Sequence, residues 1–289
     1  MKATALAVVT ALALAGCSAT PVQDDGTVHI VASTDVYGSI AEAVGGDLVT
    51  VTSLISSAAQ DPHSYEASAQ DRLALAHADI VIENGGGYDP FIGQLLDPAA
   101  SSARLITVVE ADEAVAGFNE HVWYDLDAMA GFAGQLAETL AEIDGANAAR
   151  YTAAAEAFAA EISVLVERAH ELASSLEGQG VALTEPVPAY LLEEVGLVNL
   201  TPEAFTEAIE EGADVPPSAL RETLDVIASG RVVLLAYNSQ TASAETERVR
   251  EAAEAAGIPV ADFTETLPDG RDYLSWMTAN LDAIASALT

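Results

Sequence analysis

The stretch 146–177 constrains the fold more than any other part of the chain. It is rich in Ala, Glu and Leu and contains neither Pro nor Gly. Apolar residues recur along it at helical spacing, at Phe158, Ile162, Leu165, Val166, Ala169, Leu172 and Leu176. This pattern predicts a helix of about 30 residues and about 45 Å. Because the apolar stripe has no sustained heptad, we expect a rigid strut between two domains rather than a coiled coil.

Strand-like and helix-like segments alternate on both sides of this helix. The strand-like runs are short, apolar or β-branched, and lie at 28–33, 48–55, 79–83, 104–109, 181–184, 197–200, 232–237 and 258–263. Such alternation predicts parallel sheets covered by helices on both faces. The expected fold is therefore α/β, with two lobes, each a mostly parallel sheet flanked by helices, joined by one long rigid helix. We place the first lobe at 28–145, the linking helix at 146–177 and the second lobe at 178–289.

The charge balance excludes one class of partner. The chain has 45 acidic residues against 10 basic ones, which gives a net charge of −35. Nucleic-acid binding relies on Lys and Arg to neutralise phosphates, so we expect no nucleic-acid partner. A strongly negative surface attracts cations and also keeps a protein soluble, and the second explanation is sufficient by itself.

The first residues predict export and anchoring. Lys2 precedes a short apolar run that ends in Leu14-Ala15-Gly16-Cys17. A basic start, an apolar stretch and small residues before the cleavage point are typical of a secretory signal, and the last four residues resemble a bacterial lipobox. We therefore expect 1–17 to be a lipoprotein signal with Cys17 lipidated, and 18–27 to be a tether. The protein would then be extracytoplasmic and lipid-anchored to the cell membrane.

Four residues are candidate metal ligands. His63 lies in Asp61-Pro62-His63-Ser64-Tyr65-Glu66, where Pro62 restricts the turn. Glu185 and Glu265 follow predicted strands, where ligand groups gather in parallel sheets, and His121 precedes a predicted helix. Two imidazoles and two carboxylates suit Mn²⁺, Fe²⁺ or Zn²⁺. The residues alone leave open that His63 only caps a carbonyl, and that other glutamates take the two carboxylate positions.

Several motifs resemble one family of transport proteins. The hexapeptide at 61–66, His-Val-Trp at 121–123, the long helix and the closing segment at 263–281 are similar to the zinc- and manganese-binding lipoproteins of cluster A-I ABC importers. This resemblance implies two α/β lobes with the metal between them. It makes His63 and His121 the histidine ligands, Glu185 the third ligand and Glu265 the fourth, where the family usually has Asp.

The resemblance also implies a function. We expect a solute-binding lipoprotein that captures manganese or zinc, with Fe²⁺ also compatible, and delivers it to the permease of an ABC importer. A glutamate at position 185 and the lack of a histidine-rich loop favour manganese. We expect a monomer. We also expect no enzyme activity, because the sequence contains neither His-Glu-x-x-His nor Gly-x-Ser-x-Gly. The alternatives are a siderophore or other chelate carrier, a metallohydrolase and a surface adhesin.

Overall fold

The computed structural model describes residues 26–57, 60, 65–96, 102–110 and 118–288. Four strands form a first sheet: β1 (Val28–Thr34), β2 (Val49–Ile55), β3 (Ile80–Gly85) and β4 (Arg104–Val109). They pair in parallel in the order β2-β1-β3-β4. The helices of this lobe are α1 (Asp35–Gly45), α2 (Ala69–Ala76), α3 (Phe91–Leu95) and α4 (Leu126–Ile143).

A second sheet repeats this topology. Its strands are β5 (Gly180–Leu183), β6 (Val198–Asn199), β7 (Val232–Asn238) and β8 (Val260–Phe263). They are parallel and lie in the order β6-β5-β7-β8. The helices around them are α6 (Ala189–Glu194), α7 (Glu203–Glu210), α8 (Pro217–Ala228), α9 (Ala244–Ala255) and α10 (Tyr273–Leu288). In both sheets the second and third strands in chain order lie on opposite sides of the first. The strand order therefore reverses beside the first strand, and such a reversal leaves a crevice at the carboxyl ends of the strands.

One long helix, α5 (Ala148–Leu176), connects the two sheets over 29 residues. Its buried side chains are spaced three, four or seven residues apart, as on one face of a helix: Tyr151, Ala155, Phe158, Ile162, Leu165, Ala169 and Leu176. Helix α5 packs against α1 and α4 of the first lobe and against α6 and α10 of the second. The two sheets, their flanking helices and this connection confirm the predicted fold class.

The two lobes share one apolar core. A single cluster of buried side chains includes Ile82 of the first sheet and Leu234 of the second. Aromatic rings join the lobes within it: Tyr124 lies 5.3 Å from Trp276 between ring centroids, and the Tyr124 hydroxyl donates to the Thr264 carbonyl at 2.8 Å. The lobes are therefore packed together rather than only linked by α5.

Helix α7 is the main element that the sequence reasoning did not predict. The sequence predicts a strand that ends near residue 200 and a helix that begins at 217, with no element between them. The structure places an eight-residue helix in that interval, with Phe205 and Ile209 among its buried residues. Helix α3 is also shorter than predicted, because Tyr88, Asp89 and Pro90 form the turn that precedes it.

Several predictions fall outside the described residues. These are the signal at 1–17 with Cys17, the tether up to residue 25, and the turn that carries His63. Within the described ranges, none of the helices combines the length and the apolar character needed to cross a membrane.

Candidate metal centre

Three of the four predicted ligands lie in the described ranges, and all three are buried. Glu185 follows β5, Glu265 follows β8, and His121 immediately precedes a 3-10 turn at Val122–Tyr124. The exposed fractions are 2% for Glu185, 1% for Glu265 and 1% for His121. Charged side chains are seldom buried this fully unless they are paired or bind a cation. The fourth predicted ligand, His63, lies outside the described residues.

A single amide brings the two glutamates together. Strand β7 lies between β5 and β8, so its last residue, Asn238, lies between the segments that follow them. The Asn238 Nδ2 donates to Oε2 of Glu185 and to Oε1 of Glu265 at 2.8 Å. Two buried carboxylates therefore lie within reach of one neutral donor.

Other neutral groups hold the same two glutamates in place. The Thr241 hydroxyl donates to Oε2 of Glu185 at 2.5 Å, and Gln240 Oε1 accepts the backbone N–H of Glu265 at 2.5 Å. From the opposite lobe, the Tyr88 hydroxyl donates to Oε2 of Glu265 at 3.1 Å. Burial, reinforced by the charge of Glu265, raises the pKa of Tyr88, so its hydroxyl keeps the proton that it donates.

A glycine turn holds Tyr88 in this position. The glycines at 85–87 end β3 with φ values of 78°, 65° and 102°, a region that side chains disfavour. The Asp89 carboxylate accepts the Gly85 N–H at 2.9 Å. A Cβ on Gly85 would lie 2.4 Å from the Val109 carbonyl oxygen. The turn thus fixes the start of the segment that carries Tyr88 into the crevice between the lobes.

His121 is oriented through its Nδ1 atom. Nδ1 lies 2.7 Å from Oδ1 of Asn119, a residue that the sequence reasoning did not single out. The imidazole ring packs against Trp123 and Tyr88, with ring centroids 5.0 Å and 5.9 Å away. A histidine bonded through one ring nitrogen coordinates metals through the other. Nε2 is therefore the atom that could act as a ligand.

A further glutamate, Glu210, lies beside this group at the end of α7. Its Oε1 is 3.7 Å from Nδ1 of His121. Burial raises the pKa of Glu210 to about 8, and the charges of Glu120, Glu185 and Glu265 contribute to the rise. Several carboxylates therefore share one region of low dielectric, which favours the entry of a cation.

A cavity of about 1120 Å³ adjoins the two carboxylates. Gln240 and Thr241, which bond Glu265 and Glu185, are part of its lining. Seven acidic residues line it: Glu120, Glu203, Glu207, Glu210, Glu211, Asp214 and Glu245. Among the described residues that line the cavity, none is Lys, Arg or His.

The arrangement does not by itself form a complete ligand set. Across the ranges that the structure describes, no three or more His, Cys, Asp and Glu side chains are grouped so that they could hold a metal ion. Asn238 joins Glu185 to Glu265, while Tyr88 lies between Glu265 and His121, bonding the first and packing its ring near the second.

Comparison with known proteins adds a family match. The model of the family "Zinc-uptake complex component A periplasmic" (ZnuA) matches residues 30–287. The manganese-binding lipoprotein MntA of Halalkalibacterium halodurans is 27% identical over 198 residues, covering 65% of this chain and 65% of that protein, slightly less than two thirds of its length. The metal ABC transporter substrate-binding lipoprotein ScbA of Streptococcus cristatus is 22% identical, with 100% of both chains covered.

Solved structures show the same architecture. The laminin-binding protein Lmb of Streptococcus agalactiae, described as a bifunctional protein with adhesin and metal transporting activity, superposes with a TM-score of 0.78. It is 21% identical and is matched over 91% of this chain and 100% of its own. At this identity the likeness establishes the fold.

Proposed function

Because the chain belongs to the ZnuA family of zinc-uptake complex components, we propose that it binds one divalent transition-metal ion between its lobes. His63 and His121 supply imidazole nitrogens from the first lobe, and Glu185 and Glu265 supply carboxylate oxygens from the second. The observation that carries the proposal is the shared Asn238 amide, which holds two buried carboxylates side by side. A bound cation neutralises the repulsion between them, which is strongest in a site of low dielectric.

The ion is manganese or zinc. Mixed nitrogen and oxygen ligands suit both metals, and Fe²⁺ fits the same set. The glutamate at position 185 favours manganese, and the relative MntA is named a manganese-binding lipoprotein. Zinc binds most such sites more tightly than manganese, so selectivity in the cell depends on geometry and on metal supply.

The cavity supports a bare cation as the cargo rather than an anionic chelate. A siderophore carrier needs Arg or Lys to bind a negatively charged ligand. The lining residues in the described ranges are acidic or neutral. A carrier also needs no catalytic group, so we propose binding and release rather than turnover.

The protein acts, in this proposal, as the extracytoplasmic component of an ABC importer. The lipobox-like sequence that ends at Cys17 anchors it to the cell membrane as a monomer, and the permease of the importer receives the ion. Relatives named as lipoproteins support this assignment, as does the family match.

Metal titration tests the binding step. We expect the purified protein, stripped of metal, to bind one Mn²⁺ or Zn²⁺ per chain by calorimetry and elemental analysis. The variants His121→Ala, Glu185→Gln and Glu265→Gln should each weaken binding by orders of magnitude. Glu222→Gln is the matched control, because Glu222 is exposed on α8 and does not line the cavity.

Bound metal should also stabilise the wild type and Glu222→Gln against unfolding by about 4 kcal/mol when the metal is at 1,000 times its Kd, and their melting temperatures should rise accordingly. A wild type that binds neither ion would refute the proposal. So would ligand variants that bind as tightly as the control.

A further inference from the structure

Asn119 makes four hydrogen bonds at the boundary between the lobes. Its Oδ1 accepts the backbone N–H of His121 at 3.2 Å and lies 2.7 Å from the Nδ1 of that histidine. Its Nδ2 donates to the Pro186 carbonyl oxygen at 3.0 Å. Its own carbonyl accepts the Tyr190 hydroxyl at 2.8 Å. Asn119 therefore contacts His121 in the first lobe and two residues of the second.

The Pro186 carbonyl settles which end of the amide faces His121. A carbonyl oxygen only accepts hydrogen bonds, so the NH₂ group of Asn119 must point towards Pro186. The amide oxygen must then point towards His121. An amide oxygen also only accepts, so Nδ1 of His121 carries the proton. The neutral imidazole then has its lone pair on Nε2, the nitrogen that could ligate a metal.

The same amide connects this imidazole to the other half of the site. Pro186 directly follows Glu185 in the chain. The second cross-lobe bond, from Tyr190 of α6, holds the backbone of Asn119. The orientation of His121 is thus coupled to the segment that carries Glu185.

We propose that Asn119 is the positioning residue of the metal centre. It selects the Nδ1–H tautomer of His121, leaves Nε2 to coordinate the ion, and keeps the imidazole in register with Glu185. This inference rests on the proposed function for its metal, but the tautomer is a property of the metal-free protein. Glu210 does not take this role, because its Oε1 is 3.7 Å from Nδ1, beyond hydrogen-bond distance.

The tautomer can be measured without metal. Two-bond ¹H–¹⁵N spectra of histidine-labelled, metal-free protein at about pH 8, above the usual His pKa of about 6.5, distinguish Nδ1–H from Nε2–H. His121→Gln assigns the signal. We expect Nδ1–H in the wild type, in Asn119→Asp, which keeps the acceptor, and in the matched control Glu210→Gln. We expect Asn119→Ala to lose it. An Nε2–H wild type, or an Asn119→Ala spectrum like that of the wild type, overturns the proposal.

Mn²⁺ affinity gives the second measurement. Removing the partner of a ligand histidine typically weakens metal binding about 10- to 100-fold, so we expect that loss for Asn119→Ala. Asn119→Asp should recover most of it. Tyr190→Phe removes the other cross-lobe bond but leaves the Asn119 side chain on His121, so it should lose less affinity than Asn119→Ala.

The two proposals fail in different ways. An Asn119→Ala affinity equal to that of the wild type overturns the positioning role while leaving metal binding intact. A wild type that binds no Mn²⁺ or Zn²⁺ overturns the proposed function, and the metal-free spectra still decide the role of Asn119. Circular dichroism and thermal melting of each variant show that the fold is retained.

Discussion

Asp35 is the first residue of α1 in the first lobe, and its side chain is half-buried. Its Oδ1 accepts the backbone N–H of Leu267, from the second lobe, at 3.1 Å. Burial raises the pKa of this carboxyl from 3.8 to about 6, although backbone hydrogen bonds, the one from Leu267 first among them, oppose the rise. Folding therefore favours the protonated form. Asp35→Asn removes the charge and retains an oxygen that can accept the Leu267 N–H.

The sign and size of the effect follow from linkage. A carboxyl whose pKa is raised by folding contributes stability below its unfolded pKa of 3.8, and that stability is lost as the pH rises to about 6. The full change in pKa corresponds to about 3 kcal/mol. Because Asp35 is partly solvated, we expect about 2 kcal/mol. Asp35→Asn should thus be more stable than the wild type at pH 7 by that amount, and equal to it near pH 3.5.

Urea unfolding of both metal-free proteins at intervals from about pH 3.5 to pH 7.5 measures this difference. The unfolding free energies should separate across the window from 3.8 to about 6 set by the pKa of Asp35. Subtracting the variant from the wild type removes the contribution of the other carboxyls, because both proteins carry them. A difference that stays constant with pH, or a variant less stable than the wild type at pH 7, would refute the reasoning.

Two further predictions concern the supports of the candidate metal centre. Gly85→Ala should lower the unfolding free energy by about 2 kcal/mol or more, because a Cβ would lie 2.4 Å from the Val109 carbonyl oxygen at a φ of 78°. Denaturant titration measures this loss. Gly93→Ala in α3 is the control, because a Cβ there meets nothing within 4 Å. Asn238→Leu should lower the melting temperature of the metal-free protein, since each lost hydrogen bond to a carboxylate costs about 1.5 to 3 kcal/mol. Added Mn²⁺ should recover part of that loss, and a variant that melts with the metal-free wild type would contradict the role given to Asn238.

The regular elements of this fold are predictable because their patterns are local. Helix α5 has a long apolar stripe, and the buried strands are short apolar runs between turn residues. Helix α7 was missed because it spans only eight residues between Pro202 and Gly212. Its apolar residues could have indicated a helix, but two turns carry a weak periodic signal.

The residues of the candidate site also fall into two groups, those that the sequence indicates and those that only the structure shows. Glu185 and Glu265 could be proposed because each follows a strand, and His121 because it precedes a predicted helix, where a core histidine is less natural. Asn119 and Asn238 could not, because a neutral amide gives no charge signal and its partners lie in distant segments. Glu210 is one of 45 acidic residues, and only the packing of α7 against the crevice distinguishes it from the others.

Because Tyr124 and Trp276 share an apolar core across the lobes, we expect that neither half folds by itself. Cutting the chain within α5 would expose aromatic faces on both fragments, so we expect each fragment to aggregate when expressed alone. Co-expressed fragments should instead reassociate through those faces. The intact chain should melt in one cooperative transition, even though its topology consists of two repeated sheets.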